Sequence, residues 1–189
     1  MSAASAVFGA KLTTLPLREL EKQSIPCRNS FPSETMVLMA DGSTKPIGDI
    51  QPGDSVTTAY PQSGNVDGKP VTAEIVTPND TQFTELSIAV ADSGGSQASP
   101  KSVVSTSHHP YWDATSHRWT AAEEIEPGHE LTTPDNRTAV VITVRSYATP
   151  PQTAENLSVA DLHAYFVIAG DTPVLAHNCP TPAAGTTSQ

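Results

Sequence analysis

Basic residues are scarce in this chain. Ten Lys and Arg stand against 20 Asp and Glu over 189 residues, a formal net charge of −10. The ten occur singly, so no basic patch exists to neutralise phosphates, and nucleic acid is not an expected partner. The charge serves solubility and little else. Aromatic residues are few as well, at 5%, and with 17 prolines and 11 glycines the composition disfavours long helices. Short strands joined by turns fit it better. No apolar run approaches the length of a membrane span, so no membrane contact is expected. Residues 1–10 carry neither a basic n-region nor an apolar h-region, so no signal peptide is expected there, and the compartment stays open. There are two cysteines, Cys27 and Cys179. They could form one disulfide bracketing the body or remain free thiols, and two residues do not identify a redox compartment. The six histidines fall into no zinc-site rhythm with cysteine, so no metal is expected.

What is present suits one domain with tails: 37% hydrophobic residues over this length can build a core. Residues 1–29 read as a polar lead-in with a short helical possibility at 15–23. Strand patterns follow at 36–39, 45–47, 55–59, 71–76, 84–90, 102–105, 139–145, 157–159 and 165–168. Asp41-Gly42 between the first two is a strong hairpin signal. Residues 61–70 and 91–101 read as loops and 180–189 as a low-complexity tail. A weak repeat links Ile50-Gln51-Pro52-Gly53-Asp54-Ser55-Val56 to Ile125-Glu126-Pro127-Gly128-His129-Glu130-Leu131, 75 residues later. Each copy reads as a Pro-Gly turn entering a strand, which predicts a duplicated β unit with pseudo-two-fold symmetry.

The chemistry concentrates at the two ends of this body. Val174-Leu175-Ala176-His177-Asn178-Cys179 holds what a chain needs to cut its own backbone. The Asn178 side-chain amide can attack its own carbonyl and close a succinimide. His177 can protonate the leaving amine as a general acid–base group, and Cys179 offers a thiol to receive an acyl group. Near the start, Ser30-Phe31-Pro32-Ser33-Glu34-Thr35 precedes the first strand.

Ser30-Phe31 with Thr35 and Val37-Leu38-Met39-Ala40-Asp41-Gly42, then Ile47, Ile50 and Pro52-Gly53-Asp54 with Val56, resembles the opening block of the Hint superfamily. That superfamily joins inteins, Hedgehog autoprocessing domains, bacterial intein-like domains and the Hint modules of polymorphic toxins. Thr106 with His109-Pro110 resembles its second block. Leu157-Ser158-Val159, Asp161-Leu162-His163 and Tyr165-Phe166-Val167, followed by His177-Asn178-Cys179, resemble its last two. The wording looks closest to the bacterial toxin-associated group, for which a secreted toxin is one setting.

The resemblance implies an all-β horseshoe with Ser30 and Asn178 near its centre, and a role for each matched residue. Ser30 would attack the carbonyl of Asn29 and form an ester. A hydroxyl is a poorer nucleophile than a thiolate, so Thr106 and His109 would polarise or strain that bond. His163 would assist cyclisation of Asn178, with His177 as the penultimate histidine and Cys179 as the downstream residue. Read alone, His109 is a turn histidine before Pro110 and His163 a sheet histidine; four blocks in register favour the functional reading. His108, off the spacing, reads as structural, and His117 and His129 as surface residues. Many splicing inteins carry an Asp seven residues before the His163 position; here it is Asn156, which cannot serve as the same acid.

The expected organisation is therefore a lead-in at 1–29, an autoprocessing domain at 30–178 and a flank from 179 to 189. Its substrate would be its own flanking polypeptide, cut once by a monomer without cofactor. Three outcomes compete: splicing, cleavage after Asn178, and cleavage before Ser30. The 149 residues from Ser30 to Asn178 leave no room for an inserted endonuclease, and the flanks do not resemble halves of one host enzyme. That favours release of a downstream domain. From other classes, an inert β presentation module and a hydrolase acting in trans through Ser30 and His109 are the alternatives.

Overall fold

The structure, a computed structural model, describes residues 29–90, 99–135 and 137–178. The expected helix at 15–23, the tail at 180–189 and both cysteines lie outside the described residues. Eleven strands form one antiparallel sheet: β1 (Met36–Leu38), β2 (Thr44–Pro46), β3 (Ser55–Ala59), β4 (Val66–Val90), β5 (Lys101–Thr106), β6 (Pro110–Asp113), β7 (Arg118–Ala121), β8 (Glu130–Thr132), β9 (Thr138–Val159), β10 (Ala164–Ala169) and β11 (Thr172–His177). The order is β2-β1-β10-β11-β6-β8-β9-β4-β3, with β5 added on β4 and β7 on β6. The fold is the all-β horseshoe with pseudo-two-fold symmetry.

The repeat is the clearest route from sequence to architecture. In the first copy Gly53, at φ 101°, turns the chain after a one-turn 3₁₀ segment, and in the second Gly128 does so at φ 93°. Only glycine adopts that region without strain. The Gly53 N–H then donates to Val71 and the Val71 N–H to Asp54, at 2.9 and 2.8 Å. The second copy reproduces both bonds between Gly128, Val141 and His129, at 2.8 Å each. Each turn is thereby stitched to a long strand, β4 in one copy and β9 in the other. The Asp41-Gly42 hairpin forms as expected, with Gly42 at φ 85°.

The long strands differ from the expectation. The pattern at 71–76 and 84–90 belongs to one strand, β4, which already begins at Val66 inside the expected loop. It pairs with β9 from Val71↔Val159 to Val90↔Ala139, with register shifts at four places. Such bulges bend a pair and let it wrap the body. The middle of both strands is largely exposed and polar, so it carries no core pattern that sequence reading could detect. Short strands β6, β7 and β8 also escaped it.

Strands β10 and β11 run nearly continuously apolar because they are buried on both faces. Tyr165, Val167, Val174 and Ala176 join the main core, while Ala164, Phe166 and Leu175 join a second cluster with Trp112. Strand alternation therefore sends His177 to the Trp119 side and Asn178 to the main core.

Candidate active site

The upstream bond is fixed by a two-way bridge. Phe31 and Glu155 exchange N–H···O=C bonds of 2.7 Å in both directions, which sets the register between the start of the domain and the end of β9. Asn156 then falls beside the Asn29 carbonyl, to which its Nδ2 donates at 2.5 Å. On the other side, the Ser30 N–H donates to Thr106 Oγ1 at 2.9 Å, and the Thr106 N–H donates to the Ser30 carbonyl at 2.9 Å. The Asn29–Ser30 peptide is thus clamped at both its carbonyl and its N–H. Ser30 is fully buried, and its hydroxyl donates to Thr77 Oγ1 at 3.2 Å.

Asn156 is held in one orientation. Its Oδ1 accepts from the Leu157 N–H and from the Tyr165 hydroxyl, each at 2.7 Å. A flipped amide would face the Leu157 N–H with another donor. Burial holds the Tyr165 phenol protonated far above its ordinary range, so it stays a donor.

His109 sits in the T-x-x-H turn, where its N–H donates to the Thr106 carbonyl at 3.0 Å. Its ring is fully buried, 4.1 Å between centroids from Phe31 and 5.7 Å from Tyr111. Neither ring nitrogen has a hydrogen-bonding partner within range. Desolvation first, and the charge of His177 second, push its pKa down to about 3. It is therefore a neutral imidazole at neutral pH, close to Ser30 through Phe31 but making no hydrogen bond to the Asn29–Ser30 peptide.

At the downstream end, β10–β11 pairing places Ala164 opposite His177, so the next positions, at the open end of the hairpin, are His163 and Asn178. The Asn178 N–H donates to the His163 carbonyl at 2.7 Å. Its side-chain Nδ2 donates to the Leu157 carbonyl, and its Oδ1 is buried without a partner. His163 reaches this position in a left-handed conformation, φ 48°, just before β10. His177 packs edge-on to Trp119 at 4.8 Å, and desolvation, then the charge of His163, lower its pKa to about 4.

Of the seven residues singled out in sequence, Ser30 and Thr106 meet Asn156 at the Asn29–Ser30 peptide, Asn178 meets Leu157 and His163, and His109 and His177 act on each other electrostatically; Cys179 lies outside the described residues. Thr77, Tyr165 as the hydroxyl that fixes Asn156, and Trp119 were not anticipated. Tyr165 stood inside a motif, but Thr77 and Trp119 carry no sequence signal, because their contacts arise only from the wrapping of β4 and β7. His108 is exposed with its Nδ1 2.7 Å from Glu123 Oε1, and His117 is exposed. His129 is a correction: its Nδ1 lies 2.8 Å from buried Asp113 Oδ2, so it is a structural partner and not an idle surface residue. Among the described residues no cluster of three or more His, Cys, Asp or Glu could hold a metal.

The pretoxin Hint domain family matches residues 36–179. Among solved structures, a bacterial intein-like domain from Clostridium thermocellum aligns with a TM-score of 0.66 and 28% identity, over 79% of this chain and 98% of that one. A variant of the Ssp DnaB mini-intein aligns at TM-score 0.62 and 12% identity, over 82% of this chain and 97% of its own. The Synechocystis DnaB intein aligns at 0.58 and 12%, over 80% and 99%. Both share the fold with this chain. No curated protein matches it. The chain belongs to the pretoxin Hint domain family, whose fold serves self-processing or splicing of the polypeptide that carries it.

Proposed function

We propose that this domain acts once on its own chain, chiefly by cyclisation of Asn178 to release whatever follows it, with an N–O acyl shift at Ser30 as the slower reaction. The observation that carries this order is the contrast between the two nucleophiles. The Asn178 amide nitrogen donates to the Leu157 carbonyl, which orients it, and the neighbouring His177 can supply a proton to the leaving amine. The Ser30 hydroxyl instead donates to another neutral hydroxyl, Thr77, which does not activate it as a base would.

In the downstream step Asn178 Nδ2 bonds to the Asn178 carbonyl carbon and gives up a proton. The bond to the Cys179 nitrogen breaks, and His177 supplies the proton that lets the amine leave. The products are a C-terminal succinimide and a free amino terminus at Cys179. Holding both groups in one buried site makes the attack intramolecular, where effective molarities reach about 10⁵ M and above. No substrate pocket or cofactor is then required.

Splicing is the second reading, favoured by the hydrogen-bonded path from the Asn29 carbonyl through Asn156 and Leu157 to Asn178. Intact-mass spectrometry of the full chain with a folded protein fused after residue 189 separates the readings. Release with a fragment ending at Asn178, lighter by one water than the hydrolysed product, is expected. Ser30→Ala should leave that release largely intact and Asn178→Ala should abolish it. If Ser30→Ala blocks release as completely, the two ends are coupled as in splicing; if Asn178→Ala changes nothing, the domain is an inert β module.

A further inference from the structure

We propose that Asn156 is a catalytic residue of the upstream acyl shift, its carboxamide N–H acting as the oxyanion donor for the Asn29 carbonyl. The inference rests on the upstream part of the proposed function and deepens it. Sequence reading treats Asn156 as the loss of an acid. The geometry points to a gain, since a carboxylate offers only acceptors whereas an amide offers a donor to the carbonyl under attack.

Four observations carry it. Nδ2 already lies 2.5 Å from the Asn29 oxygen. The amide cannot turn away, because Leu157 N–H and the Tyr165 hydroxyl both donate to its Oδ1. The side chain is 1% exposed, so water does not compete with the bond, and a donor preorganised in a dry site stabilises developing charge far more than one in water. The Phe31–Glu155 bridge supplies the rigid support such a donor needs.

In the step itself Ser30 Oγ bonds to the Asn29 carbonyl carbon, and the carbonyl oxygen becomes an oxyanion held by Asn156 Nδ2. The half-buried Thr77 hydroxyl relays the proton, accepting it at Oγ1 while passing its own to solvent water. The C–N bond then breaks as the Ser30 nitrogen takes up a proton, leaving an ester and a free amine with no net change in atoms. Thr106 Oγ1 holds the N–H of that nitrogen throughout.

The test follows both junctions in one sample: the full chain with a downstream fusion, treated with hydroxylamine at neutral pH and read by intact mass. Asn156→Asp keeps the oxygen that accepts from Leu157 and Tyr165 and removes only the N–H. Those two hydrogen bonds favour the ionised carboxylate. The hydroxamate ending at Asn29 should form 10²–10³-fold more slowly, roughly the loss of one oxyanion donor, while the fragment ending at Asn178 forms as before. Asn156→Ala should show at least the same upstream loss. An unchanged upstream rate in Asn156→Asp overturns the inference while leaving the upstream reaction standing. Equal losses at both junctions in Asn156→Asp also overturn it, since they indicate a purely structural role. An unsubstituted chain that yields the Asn178 fragment but no hydroxamate at Asn29 overturns the inference together with the upstream step. One that yields neither overturns the proposed function as well.

Discussion

Release of the downstream partner should accelerate as the pH falls from 7 to 5. The perturbation acts on His177, which must present a proton to the leaving amine of Cys179. Burial and the charge of His163 hold its pKa at about 4. Its protonated fraction is therefore about 10⁻³ at pH 7 and about 10⁻¹ at pH 5, so a step that needs the imidazolium gains about a hundredfold. The nucleophile contributes no opposing slope, because the Asn178 amide does not titrate in this range. The gain should level off near pH 4.

The fold must survive the same change. Buried His109, with a pKa lowered to about 3, stays neutral in the folded chain but takes a proton when unfolded, below an ordinary value of about 6.5. Between pH 6.5 and 5 that linkage costs about 2 kcal/mol, and His177, its pKa lowered to about 4, adds a cost of the same sign that its partial exposure reduces. Set against the roughly 5–15 kcal/mol of a typical domain, the molecule remains folded at pH 5. The assay is the release of a fused protein followed by intact mass at pH 7, 6 and 5, in the unsubstituted chain and in His177→Ala. The variant should be slower by a factor of roughly 10²–10⁴, with a nearly flat profile. A rate that is constant or rises with pH, or a His177→Ala variant with the same slope as the parent, refutes the assignment of the proton to His177.

Other expectations follow from the same geometry. Ser30→Cys should raise the yield of thiol-induced cleavage after Asn29, because a thiolate is the stronger nucleophile; fragment masses with and without added thiol measure it. Resistance to urea should be highest above pH 6.5 and fall toward pH 3 by about 1.4 kcal/mol per pH unit for His109 alone, since its folded pKa is the lower one. His109→Phe, which keeps an aromatic ring against Phe31 without the buried nitrogens, should flatten that acid slope in denaturation midpoints taken across pH. Phe31→Ala should lower stability by about 3–5 kcal/mol through the cavity it leaves, seen as a fall in urea midpoint, and should slow upstream cleavage by loosening Ser30.

Much of this was legible in the chain because the informative features are local. Pro-Gly turns need glycine at positive φ, and Gly53 and Gly128 stand where the repeat puts them. The buried strand over residues 164–169 reads as apolar because both its faces are covered. What stayed hidden depends on contacts between distant segments. The union of 71–76 and 84–90 into one strand is invisible because its polar middle faces solvent. The depressed pKa of His109 belongs to the cage of Phe31, Tyr111 and His177, not to the T-x-x-H spacing. Asn156 is the sharpest case. Its residue type alone signals a missing acid, whereas its place one residue after the Phe31–Glu155 bridge makes it a donor to Asn29. The adjoining Leu157 carries both ends of the chemistry on one peptide-bonded residue, its N–H bound to the Asn156 amide and its carbonyl to the Asn178 amide. A shift of β9 by a single residue would therefore disturb both junctions at once, which ties the reactivity of each to the register of a strand that neither end of the sequence encodes.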